Sequence, residues 1–130
     1  MRFPLVSDPD ARIAAKLGLV RQDWELHAAT PLEALVPSTL VVVCDIDKRV
    51  RLTTSYPKTC GRNFYEVLRA VDACQLALFH RVATPANWLQ GADVFVQPKI
   101  SRVAAQAAFP KGVVEQRPWY RTTPQPDVAV

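Results

Sequence analysis

The stretch Tyr56-Pro57-Lys58-Thr59-Cys60-Gly61-Arg62-Asn63-Phe64 constrains the fold more than any other. An apolar, β-branched run enters it and a helical period leaves it. Pro57 has no N–H to give to a sheet ladder, so it predicts the end of the incoming strand. Gly61 allows a positive φ or a close approach before the helix. Asn63 and Glu66 have the spacing of a capping box, in which Asn63 covers orphan N–H groups of the first turn. Arg62 then falls at a strand-to-helix corner, beside a positive helix end. Such corners carry active-site residues in many α/β sheets, although the same residues also make a well-formed turn and nothing more.

The segments on either side complete an α/β reading. Thr39-Leu40-Val41-Val42-Val43-Cys44 has the length and β-branching of a buried strand. Asp45-Ile46-Asp47-Lys48 is the turn, and Arg49 to Tyr56 alternates as a strand with one wet face, closing an antiparallel hairpin. From Asn63 to about Phe79 a helix is expected, with Phe64, Val67, Leu68, Val71, Cys74 and Leu78 on its buried stripe. Upstream, Phe3-Pro4-Leu5-Val6 reads as a short strand. Asp8 and Pro9 start a helix over 11–17, which Gly18 ends. Residues 20–37 read as a loop with one helical turn at Leu32–Leu35. Downstream of His80, prolines punctuate short elements: a strand at Val94–Val96, a helix at Ser101–Phe109, and a ribbon of Val113–Gln116 with Trp119–Thr122. A domain boundary is expected near Arg81–Thr84, giving modules 1–82 and 83–130.

The bulk properties exclude several function classes. A chain of 130 residues with 49% hydrophobic and 22% charged residues has the composition of a folded domain. No apolar run is long enough for a membrane span, and Met1-Arg2-Phe3-Pro4 does not open a secretory signal, so a cytoplasmic setting is expected. The net charge of +4 comes from basic residues interleaved with acids, and only Arg117-Pro118-Trp119-Tyr120-Arg121 mixes cations with aromatics. Nucleic-acid binding is not expected on that pattern. Three cysteines, Cys44, Cys60 and Cys74, give no Cys-x-x-Cys spacing, and His27 and His80 make no ligand pair with them. No metal site and no cofactor are therefore expected. Cys60 is the one cysteine with a reactive context, lying between Lys58 and Arg62 and near a helix N-terminus. An ordinary exposed cysteine fits the same facts.

Taken jointly, several motifs resemble the 1-Cys peroxiredoxins. They are Tyr56-Pro57 with Gly61-Arg62-Asn63-Phe64, Arg81-Val82-Ala83-Thr84-Pro85-Ala86-Asn87-Trp88, Phe109-Pro110-Lys111-Gly112-Val113, and Tyr120-Arg121-Thr122-Thr123-Pro124-Gln125-Pro126. Phe3-Pro4-Leu5-Val6-Ser7-Asp8 adds a fifth match, so the resemblance spans residues 3–126. It implies a partial thioredoxin-like fold, its second half, followed by the C-terminal peroxiredoxin extension. It also implies thiol-dependent reduction of hydrogen peroxide and organic hydroperoxides by a peroxidatic cysteine in a Pro-x-x-x-Thr-x-x-Cys loop. No cysteine here has a threonine three before it and a proline seven before it. One arginine of the family's site corresponds to Arg62, whereas Thr39 stands where the resemblance places another. These residues are thus expected to be a truncated peroxiredoxin, inactive alone, with Arg62 in a supporting role. The alternative is a non-catalytic protein that dimerises with a full-length peroxiredoxin. The implied partners are a second copy, or a full-length relative, and the thiol reductant of the parent enzyme.

Overall fold

The computed structural model describes residues 2–20 and 38–127, and the side chain of Ser38 lies outside that description. The reading of residues 21–37, including the helical turn at Leu32–Leu35 and His27, falls outside it too. The chain divides into two compact units, one of residues 1–43 and 52–62, the other of 44–51 and 63–130.

In the first unit, α1 (Arg12–Lys16) begins after Ala11, whose φ of 52° breaks the helix on its N-terminal side. Asp8 supplies the cap from further upstream than expected. Its carboxylate accepts from the N–H groups of Ile13 at 3.0 Å and Ala14 at 2.9 Å, and Pro9 stays outside the helix. Residues 3–6 form no strand; Phe3, Leu5 and Val6 are exposed. A strand needs a ladder partner, and Pro4 removes one of the few donors this short segment could offer.

β1 (Ser38–Cys44) and β2 (Val50–Pro57) pair in a two-stranded sheet, and β2 ends at Pro57. Alternation along β2 holds from Arg51 on, with Leu52, Thr54 and Tyr56 half-buried between exposed neighbours. Cys44 is exposed rather than buried, because β1 alternates here: Val43 turns inward, and Cys44 falls on the open face with Val42. The hairpin turn is organised by Asp45. Its N–H donates to Arg49 O, and its carboxylate accepts from Arg49 N–H at 2.8 Å and Arg51 Nε at 2.6 Å.

The second unit contains the main core. α2 (Phe64–His80) starts at Asn63, whose side chain accepts from Tyr65 and Glu66 N–H, and ends at Arg81 in the left-handed region. The return half of the capping box is not made, because Glu66 instead grips the Arg69 guanidinium at 2.6 and 2.7 Å. β3 (Val82–Ala83), β4 (Val94–Val96), β5 (Val114–Arg117) and β6 (Tyr120–Thr123) form an antiparallel sheet in the order β3-β4-β6-β5. α3 (Arg102–Ala108) is capped by the Ser101 hydroxyl. Val82, Val94 and Val96 are buried against Trp88, Ile100 and Phe109, with Leu76 and Ala105 completing the cluster.

The buried face of α2 is shifted from the expected one, whose Val67, Val71, Cys74 and Leu78 are half-buried. Ala70 and Leu76 are buried and Ala73 packs on the core, whereas Phe64 is 64% and Leu68 62% exposed. Cys74, expected to be buried, is half-buried. The helix is apolar around most of its circumference, so packing rather than periodicity decides which face is covered.

Candidate functional site

The corner between β2 and α2 is built from its backbone outward. Cys60 N–H donates to Pro57 O at 2.9 Å, which closes the turn after the strand. Cys60 is an exposed free thiol, and its Sγ lies 3.7 Å from Gly61 O. Arg62 is exposed two residues on. Gly61 has no positive φ, and a Cβ there would meet nothing within 4 Å, so neither expected reason for glycine operates in this chain. Asn63 then covers two of the orphan donors at the start of α2, at 3.0 and 3.3 Å. The segment therefore carries an exposed thiol and a guanidinium close together in sequence, just before the residues that open α2.

A second arginine, Arg121, which the sequence shows only as part of a cation–aromatic stretch and a family motif, anchors the second unit. Arg121 on β6 is only 3% exposed. Its Nη2 donates to Ile100 O at 2.7 Å, Gln97 O at 3.2 Å and Pro98 O at 3.4 Å, which ties down the turn between β4 and α3. Its Nε is buried without a hydrogen-bond partner. Thr123, the other inward residue of β6, donates to Gly112 O at 2.7 Å. The alternation of β6 was legible, but a charged residue on an alternating strand is by default assigned to the wet face.

Two cavities of the second unit are lined by other residues. One of about 120 Å³ lies against Leu76, Phe79 and Trp88, with Asp72 and His80 among its polar groups. Another, of about 410 Å³, brings together Arg51, Arg81 and Lys99, cations far apart in the sequence, with Cys74 beside them. Among the described residues no group of His, Cys, Asp and Glu is arranged to hold a metal ion, and no helix is long and apolar enough to cross a membrane. The Asp45 carboxyl is held below its ordinary range, first by the Arg49 N–H and then by the Arg51 guanidinium, against the opposing effect of burial.

Comparison with known proteins places these features in a family. The profile of the C-terminal domain of 1-Cys peroxiredoxin matches residues 73–112. Peroxiredoxin-6 of Gallus gallus is 39% identical over 130 residues, covering 96% of this chain and 56% of the relative. A mutant of the peroxiredoxin 6 of Arenicola marina superposes with a TM-score of 0.76 at 36% identity, over 94% of this chain and 56% of that one. A yeast mitochondrial 1-Cys peroxiredoxin, solved for its thiol resolving mechanism via the glutathione/thioredoxin systems, gives a TM-score of 0.73 at 34% identity, over 88% and 52%. The chain spans about half the length of the relatives it matches. Its α/β architecture is a partial thioredoxin-like fold with the C-terminal peroxiredoxin extension. On sequence and structure together, this chain corresponds to a C-terminal 1-Cys peroxiredoxin part.

Proposed function

We propose that the chain furnishes one wall of the peroxide pocket of a 1-Cys peroxiredoxin, with Arg62 as a supporting cation, and that these 130 residues alone do not turn over hydroperoxide. In the complete reaction a cysteine thiolate attacks the O–O bond. An S–O bond forms, the O–O bond breaks, and the leaving oxygen takes a proton as water or alcohol. Two equivalents of thiol then return the sulfenic acid to thiol, with release of water and a disulfide. The step needs a thiolate held among cations and hydrogen-bond donors. Arg62, an exposed cation just before α2 in the sequence, has the charge to contribute to that environment. The observation that carries the reading is the absence, from these residues, of any cysteine in a Pro-x-x-x-Thr-x-x-Cys segment. The three free thiols fit a cytoplasmic setting, and the family fits a thiol reductant.

The test is hydroperoxide consumption by the purified chain with a thiol donor, alongside the Cys60→Ser variant. No saturable turnover is expected from either. Turnover that Cys60→Ser abolishes would make Cys60 the nucleophile and overturn the proposal.

The exposed apolar face of α2 favours a second reading, that of an interaction protein. Phe64, Leu68 and Phe79 are uncovered, and uncovered apolar area of this kind favours association. On this reading the chain forms homodimers, or heterodimers with a full-length peroxiredoxin. Sizing the chain alone and mixed with such a relative decides it: a compact, heat-resistant monomer that ignores the relative removes the reading.

A further inference from the structure

The cavity of about 410 Å³ in the second unit is lined by Arg51, Arg81 and Lys99, with Gln97, Cys74 and Leu78 among its other residues. Among the described residues no carboxylate lines it. The nearest acid engaged with these cations is Asp45, whose Oδ2 takes the Nε of Arg51. Arg81 and Lys99 form no ion pair among the described residues. Asp45 balances the charge of Arg51, which leaves Arg81 and Lys99 as the net positive charge of the concavity; like charges there repel each other and a concave wall focuses their field, so a bound anion relieves an unfavourable arrangement.

One cation is held by its side chain and the other two by the backbone that carries them. Arg51 is fixed by Asp45 at 2.6 Å. Arg81 is the left-handed C-cap of α2, with φ 56°. Lys99 sits in the turn that Arg121 ties through Gln97 O, Pro98 O and Ile100 O. The Arg51 charge is thus prearranged, whereas the exposed side chains of Arg81 and Lys99 are ordered by the ligand, on backbone positions that are already set. The volume falls in the range of small-molecule sites and exceeds what a single inorganic anion fills, and Leu78 and Ala77 offer apolar contact to a carbon skeleton.

We propose that this groove binds a small organic molecule carrying two or more carboxylate or phosphate groups, bridged between Arg81, Lys99 and the free face of the Arg51 guanidinium. The proposal does not depend on the peroxidase reading, because none of these residues belongs to the β2–α2 corner.

Calorimetric titration of the full chain with citrate and with pyrophosphate, at low ionic strength, tests it. A Cys44→Ser/Cys60→Ser chain leaves Cys74 as a reporter, read by its rate of alkylation with a neutral maleimide. One-to-one binding of at least one probe is expected, and the bound probe slows Cys74 alkylation. Arg81→Gln/Lys99→Gln weakens binding by about tenfold or more, as loss of charge-assisted hydrogen bonds requires. Arg12→Gln/Lys16→Gln, which removes the same charge from α1, leaves it unchanged. Preference for citrate assigns the groove to organic acids, and preference for pyrophosphate assigns it to phosphorylated ligands; both support the site. No binding, equal weakening by both double variants, or binding that does not protect Cys74 overturns it.

Discussion

Replacing Arg121 with methionine tests whether a buried cation holds the second unit together. Methionine keeps an unbranched apolar stem but gives up the donors. Of the three carbonyls that Nη2 reaches, Gln97 O keeps a second donor, Ile100 N–H at 3.0 Å. Pro98 O is already at 3.4 Å and loses little. Ile100 O, at 2.7 Å and buried, loses a charge-assisted bond and is left unsatisfied, a cost of about 1–3 kcal/mol. The weaker contacts add roughly 1 kcal/mol, and removing the partnerless Nε returns a similar amount. The net expectation is a destabilisation of about 2 kcal/mol. With a urea dependence of about 1–3 kcal/mol per molar, the midpoint falls by roughly 1 M. Urea unfolding followed by tryptophan fluorescence, at one fixed protein concentration, reads this directly. Arg121→Lys should fall between the two, since one ammonium still reaches Ile100 O but cannot span the turn. An unchanged or raised midpoint in Arg121→Met would refute the claim that the guanidinium is a net stabiliser.

Two further expectations follow from the same packing and electrostatics. Leu76→Ala, at a position 5% exposed, should cost about 2–4 kcal/mol, whereas Leu68→Ala, 62% exposed, should stay within about 0.5 kcal/mol of the parent. Comparable losses at both positions, measured by urea unfolding, would mean that the Leu68 face is covered in solution. Asp8, Asp45 and Glu66 all have lowered carboxyl pKa values, through the Ile13 N–H, the Arg49 N–H and the Arg69 guanidinium respectively. Each therefore stabilises the fold fully above its unfolded pKa of about 4, and that stability is lost as pH falls through the lower folded value. Thermal unfolding between about pH 6 and pH 3 should show a declining midpoint below about pH 4; a flat profile would contradict it.

Local chemistry made much of the second unit legible. Pro98 and Ser101 bracket a turn and a cap, and α3 begins one residue after that serine. The strand expected at Val94–Val96 formed over those residues, because apolar β-branched positions are bounded there by a turn on each side. What remained hidden was long-range. Which face of α2 is covered depends on Val82 and Trp88, not on α2's own period. Arg51, Arg81 and Lys99 read as scattered charges until the fold gathers them. Arg121 looked like half of a cation–aromatic pair on a ribbon, and only the turn at residues 97–100 explains its burial. At the corner, Cys60 and Arg62 were placed by sequence adjacency alone. Folding adds the Asn63 cap beside them and leaves both exposed.

The two faces of α2 connect these findings to the proposed function. A helix that is polar on one side needs a single layer to cover it, while one apolar on both sides is built to lie between two layers. Here Ala70, Ala73 and Leu76 meet the core of the second unit, and the opposite stripe of Phe64 and Leu68 is uncovered. Those two residues lie in the first turns of the helix, immediately after Arg62 and the Asn63 cap. A layer seated on them would lie against the first turns of α2. On the reading proposed above, the nucleophile of the complete pocket comes from outside these 130 residues, and the layer that covers Phe64 and Leu68 would be the one that brings it. Covering the apolar stripe and completing the peroxide pocket would then be one event, which supports reading this chain as a wall that awaits its nucleophile.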